Sequence, residues 1–214
     1  MSDASSFLPE RDEFMKNIEK RARERYIPII SPEVGQFLKV LIRATRPKRI
    51  LEIGTAIGYS TIWMARAAGR GVEVVTIEID EERAFEAREN FEFYGLREQI
   101  NLKIGDALEI IPYLRREFDL VFIDAAKGQY INYLDPLMEI IPPGGVIVAD
   151  NVLYRGYVQQ EGPVKHKRRT MVNNLKEYID IVTHHHLLDT SIIPIGDGIA
   201  LSVKKNDREV EPGL

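Results

Sequence analysis

The sequence predicts an α/β fold, a doubly wound and mostly parallel sheet with helices on both faces. Three observations predict it. The apolar run Ile50-Leu51-Glu52-Ile53 breaks at Gly54 and resumes at Tyr59 with helical spacing, a strand, glycine turn and helix start. Beyond it, short apolar runs alternate with segments of helical period as far as residue 183. Two closing runs are then joined by Gly196-Asp197-Gly198, a hairpin signal that makes the last pair antiparallel.

The elements follow in order. Residues 9–25 carry Phe14, Ile18 and Ala22 among many charges, an amphipathic helix with a narrow apolar stripe. That stripe serves as a core flap or as a surface for a second subunit, so a homodimer is expected. Ser31 and Pro32 stand where an N-cap and N1 residue belong, ahead of a helix burying Val34, Phe37, Leu38, Leu41 and Ile42. Strands are expected at 50–53, 72–79, 100–104, 119–123, 146–149, 191–195 and 199–203. Helices are expected at 59–68, 81–94 with Gly95 as the C′ residue, 107–116 with a break near Pro112, 130–141 and 168–183. The domain division reads as a helical extension over 1–25, one α/β domain over 26–204, and a charged, mobile tail over 205–214.

Composition narrows the function. At 214 residues, 44% hydrophobic and 29% charged, the chain is a soluble type with room for one sizeable core. It has no cysteine, which excludes disulfides and thiolate chemistry and suits a reducing cytoplasm. No apolar run is long enough for a membrane span, and the first residues lack the pattern of a secretory signal. With a net charge of −4, any nucleic-acid contact must come from a local patch.

Polar residues gather just past the strands: Glu52 to Gly54, Glu78, Gly105-Asp106, Asp124 and Asp150-Asn151. In a parallel sheet these ends converge on one crevice. A Rossmann-like dinucleotide corner needs a glycine where this chain has Ala56, so E-x-G-x-x-x-G suits a cofactor without pyrophosphate. S-adenosylmethionine is such a molecule, although another nucleotide would also fit the motif. Ser60 and the helix-start N–H groups suit its carboxylate, and Glu52 its cationic methionine end. Glu78 suits the ribose diol and Asp106 the adenine amino group.

Asp124, Asp150 and Asn151 offer hard oxygen ligands at neighbouring strand ends, a set that suits Mg²⁺. Asp150-Asn151 is alternatively a turn or a helix cap. Lys127, three residues past Asp124, can curl back over the same site and take a proton from a substrate hydroxyl held there. Alone, it reads as a solvated loop lysine. His184-His185-His186 cannot all face one ion in regular structure and reads as a solvated loop.

Together, RILEIGTAIGYS, VVTIEID, IGDA, FDLVFIDAAKGQY and GGVIVADNVLYRG resemble the cation-dependent class I O-methyltransferases, the catechol and caffeoyl-coenzyme A type. The resemblance runs from about residue 26 to residue 204. It implies a seven-stranded fold with the last strand antiparallel. It also implies Mg²⁺ at Asp124, Asp150 and Asn151, and Lys127 as general base. Ile30, Glu52, Gly54, Ser60, Glu78, Asp106 and Ala107 would line the cofactor, with Asp124 near its methionine end.

Within that group YIPIISPEVGQFL, DNVLYRGYV, KHKRRT and SIIPIGDGIALSVKK are most similar to the bacterial tRNA 5-hydroxyuridine methyltransferases. The substrate's 5-hydroxyl and O4 are neighbours and can chelate a metal as a catechol does. Residues 155–169 hold Arg155, Lys165, Lys167, Arg168 and Arg169 against Glu161, five positive charges and one negative, net +4. Cations beside the site suit an anticodon-loop backbone. Coenzyme A phosphates or a solvated helix start would satisfy them too, and a small catechol-like substrate is the alternative.

Overall fold

A computed structural model describes residues 8–160 and 166–206, and side chains over this range except those of residues 166 and 167. Helix α1 spans Glu13–Glu24, capped by Asp12, whose carboxylate accepts from the Met15 N–H at 3.0 Å. It starts later than the charge pattern suggested because Pro9 to Arg11 precede the cap. Its apolar side, Met15, Ile18 and Ala22, is buried in the chain's own core, and Phe14 stacks on Phe93 with ring centroids 3.7 Å apart. The stripe therefore packs on the chain's own core, as the flap of the two alternatives.

Helix α2 (Pro32–Thr45) begins as expected, with the Ser31 hydroxyl accepting from Val34 N–H. Its buried side is Val34, Gly35, Leu38 and Ile42, while Phe37 and Leu41 are only half-buried. Strand β1 (Arg49–Ile53) leads to α3 (Tyr59–Ala68), β2 (Glu73–Glu78) to α4 (Glu81–Phe93), and β3 (Ile100–Ile104) to α5 (Ala107–Ile110). The α5 helix tightens into a 3₁₀ turn at Ile111–Tyr113, where Pro112 lacks the N–H that would continue it. Strand β4 (Leu120–Ile123), helix α6 (Tyr130–Ile140), strand β5 (Val146–Ala149) and helix α7 (His166–His184) follow. Strands β6 (Leu188–Ile193) and β7 (Ile199–Lys204) close the chain. Thus α7 starts before the expected residue 168, and β6 starts at Leu188 rather than 191.

The seven strands lie in the order β3-β2-β1-β4-β5-β7-β6. All pairs are parallel except those of β7, which runs antiparallel to both β5 and β6. The order reverses between β1 and β4, so the crevice opens past Ile53 and Ile123. Side chains alternate across each strand. Leu51 and Ile53 therefore join the core beneath α5, α6 and α7, whereas Ile50 joins the core beneath α1 to α4. Glu52 shares the Ile50 side and is buried there. Among the described residues no helix is long and apolar enough to cross a membrane.

Candidate active site

A cavity of about 810 Å³ occupies the crevice at the strands' C-terminal ends. Its walls bring together most of the residues picked for the cofactor and the reacting centre, with Glu52 and Asp150 as exceptions. Ile30, Gly54, Ser60, Glu78, Asp106 and Ala107 line one part; Asp124, Lys127, Asn151 and Arg155 line the other. A second, more open groove of about 1260 Å³ lies along the start of β2 and β3 and gathers none of these residues.

The glycine turn forms the cavity floor. Gly54 has φ +99° and a Cβ there would overlap the backbone oxygen of Asp124, so only glycine lets the ends of β1 and β4 meet. Ala56 adopts φ 46°, and its N–H donates to Glu78 Oε2 at 2.7 Å. The other oxygen of Glu78 accepts from Asp80 N–H at 3.0 Å, which fixes this carboxylate at the rim of the turn. Asp106 caps α5 through Leu108 N–H at 2.9 Å while also facing the cavity.

Glu52 departs from the expectation. It is fully buried, is absent from the cavity wall, and accepts from the hydroxyls of Ser60, Thr61 and Thr76. Ser60 stands between it and the cavity, so Glu52 reaches a ligand only through that hydroxyl. Burial pushes its carboxyl up to about 7 against the three hydroxyls that favour the ionised form, and the charge of Asp124 adds to the rise.

At the opposite end Lys127 Nζ donates to Asp124 Oδ1 at 2.8 Å. Asp150, only 1% exposed, lies behind the wall rather than in it. Its Oδ1 accepts from Asn151 N–H at 2.7 Å, and its Oδ2 has no partner. Burial first, then the charge of Asp124, pushes the Asp150 carboxyl up to about 7. A buried oxygen without a donor is a group that a bound cation would satisfy, so these residues fit one. Among the described residues no three His, Cys, Asp or Glu side chains converge, so the available donors are two carboxylates and the Asn151 amide, a hard oxygen set.

The loop after Asn151 is held by the β6–β7 turn. Val152 N–H donates to Gly198 O at 2.9 Å, Leu153 N–H to Asp197 O at 3.0 Å, and Arg155 N–H to the Asp197 carboxylate. Asn151, Tyr154 and Arg155 all take positive φ, a conformation the turn maintains. The basic segment divides. Arg155 is exposed at the cavity mouth and Arg169 is exposed on α7. Arg168 is instead tied to Tyr157, with its guanidinium 4.8 Å from the ring centre and bonded to the hydroxyl. Lys165 and the side chain of Lys167 lie outside the described residues. The histidine run includes the end of α7, where His184 Nδ1 lies 3.2 Å from Asp180 Oδ1.

Wall residues missed from the sequence include Tyr59, Ile79, Tyr133, Tyr154 and Asp197. Asp197 had a signal, since it sits in the Gly-Asp-Gly link read only as a turn. The apolar ones carry no local signal that separates a cavity wall from a core.

The profile of the family described as O-methyltransferase matches residues 4–205. The chain belongs to the O-methyltransferase family. Relatives agree along most of their length. A catechol O-methyltransferase of Niastella koreensis is 36% identical, with 82% of each chain covered. The caffeoyl-CoA O-methyltransferase 1 of Eucalyptus globulus is 30% identical, covering 92% of this chain and 84% of its own. Among solved structures, the O-methyltransferase TomG from Streptomyces achromogenes, in complex with SAM, superposes with a TM-score of 0.83 at 30% identity over 94% of both chains. The crevice of this O-methyltransferase is thus its candidate active site.

Proposed function

We propose that this O-methyltransferase moves the methyl group of S-adenosylmethionine onto the 5-hydroxyl of 5-hydroxyuridine at the tRNA wobble position, with Mg²⁺ at Asp124, Asp150 and Asn151. One observation carries the reading: Lys127 and Asp124, 2.8 Å apart, share a single cavity with the exposed Arg155 at its mouth. When bound, the cation supplies Lewis acidity to two adjacent substrate oxygens and the cofactor supplies the methyl group.

The chain's own groups do the rest. Ile30, Gly54, Ser60 and Ala107 shape the cofactor's berth, Glu78 accepts its ribose hydroxyls, and Asp106 accepts from its adenine amino group. Glu52 supports the berth from behind, through Ser60. Asp124, Asp150 and Asn151 would hold the cation, and Lys127, beside Asp124, stands where its Nζ can receive the hydroxyl proton. Orientation of the two reactants in one crevice supplies much of the rate. Arg155 and Arg169, with Lys165 and Lys167 of the same segment, meet the anticodon-loop phosphates, while Arg168 is held on Tyr157. A tRNA substrate places the work in the cytoplasm.

A second reading is favoured by the relatives whose names carry catechol and caffeoyl-CoA. A catechol presents the same adjacent oxygens, so the chemistry is unchanged and only the mouth differs. Incubation with labelled S-adenosylmethionine, with and without Mg²⁺, tests both against undermodified tRNA and caffeate. Label in tRNA that vanishes with chelator is expected. Label in caffeate alone overturns the RNA substrate, and equal label in chelator overturns the cation.

A further inference from the structure

Behind the acidic end of the cavity stands a tyrosine that does not line it. Tyr130 opens α6 and is fully buried. Its hydroxyl donates to the backbone oxygen of Asp150 at 3.0 Å and, more weakly, to that of Ile123 at 3.3 Å. Ile123 ends β4 and immediately precedes Asp124; Asp150 immediately follows β5. One phenol therefore ties together the ends of the two strands that present the carboxylates. Lys127 Nζ lies 5.6 Å from the centre of the same ring, and Tyr178 of α7 packs edge-on against it at 5.5 Å.

Such a tie has a physical task. Two carboxylates at adjacent strand ends repel one another, and the Asp150 Oδ2 atom has no donor to hold it. The backbone is the part of the chain able to resist that repulsion, and Tyr130 bonds to it on both sides. We infer that Tyr130 is a positioning residue, setting the facing of Asp124 and Asp150 through the carbonyls of Ile123 and Asp150. The inference rests on the reading that these two carboxylates hold a divalent cation. Groups that orient metal ligands without touching the metal typically change affinity 10- to 100-fold when removed.

The test is Mn²⁺ binding to the cofactor-free chain, followed by electron paramagnetic resonance, for wild type, Tyr130→Phe and Tyr178→Phe. Phenylalanine keeps the ring and its packing, and S-adenosylmethionine affinity reports that the variant is folded. Tyr130→Phe is expected to weaken Mn²⁺ on the order of tenfold. Turnover should recover at saturating Mn²⁺, so that the loss appears in the metal's apparent KM rather than in kcat. Tyr178→Phe, which removes a neighbouring buried hydroxyl that bridges no strand ends, is expected to bind Mn²⁺ as wild type does. Equal Mn²⁺ affinity in wild type and Tyr130→Phe overturns the positioning role while leaving the cation site standing. Equal weakening in both variants also overturns it, in favour of packing alone. Wild type that binds no Mn²⁺ overturns the cation reading itself.

Discussion

Lys127 Nζ sits 2.8 Å from Asp124 Oδ1, so the proposed base and a proposed metal ligand are partners in the same ion pair. Both side chains are largely shielded from water, at 16% and 19% exposure, which removes much of the screening an exposed pair suffers. Under the proposed function, Asp124 would hold the cation where it now holds the ammonium of Lys127.

Lys127→Ala should therefore separate binding from chemistry. Turnover is expected to fall by roughly 10²- to 10⁴-fold, the usual worth of a positioned proton acceptor. Mn²⁺ affinity should not weaken, because a competing cation has been removed from Asp124. Rapid-quench methyl transfer together with direct metal binding checks both, and turnover near wild type would remove Lys127 from the mechanism.

Asp150→Asn should trade function for stability. The unpartnered, buried Asp150 Oδ2 costs the cation-free fold, and an amide in its place carries no charge. In chelator at pH 8 the variant should be more stable than wild type by about 1–3 kcal/mol. Added Mn²⁺ should then stabilise wild type but not the variant. Thermal unfolding with and without metal measures this, and a variant less stable than wild type in chelator would contradict it.

Glu52 gives the fold a pH dependence of definite sign. Its folded carboxyl is raised to about 7 from 4.5, so on raising the pH the unfolded chain releases this proton first. The contribution of Glu52 to stability is expected to fall as pH rises from about 4.5 to about 7, by about 1 kcal/mol per pH unit, and then to level off. Glu52→Gln should flatten that slope without abolishing it, since Asp150 is also raised. Denaturant unfolding of the cofactor-free chain between pH 5 and 8 reads the effect; identical slopes in variant and wild type would refute it.

Gly54→Ala should be far worse than Gly69→Ala, although both glycines have positive φ. At Gly54 the new Cβ meets the Asp124 backbone, whereas at Gly69 nothing lies within 4 Å. The first should cost about 3 kcal/mol and weaken S-adenosylmethionine binding, the second about 1 kcal/mol with binding intact. Chemical denaturation and calorimetry distinguish them.

Much of this was legible along the chain. The bounds of α3, β3 and β5 coincide with those expected, and Ser31 caps α2 as its position before Pro32 requires. These are local matters of apolar period, cap chemistry and glycine. Legibility also extended to the site, because a parallel sheet collects its strand ends on one side and the polar residues there were visible as Glu78, Asp106, Asp124 and Asn151.

What a residue touches across the fold was not. The stripe on α1 was visible, but its destination in the chain's own core was not. Glu52 stood at a strand end like the others, yet strand parity turned it under α3, where three hydroxyls hold it away from the cavity. Tyr130 looked like the first residue of a helix, and its bond to Asp150 spans 20 residues. By itself the sequence determined the order of elements and the crevice they share, because hydrophobic period and turn chemistry act between near neighbours. Only the tertiary structure decided which polar groups face that crevice and which are buried behind it, because that depends on the packing of helices against a sheet face no single segment contains.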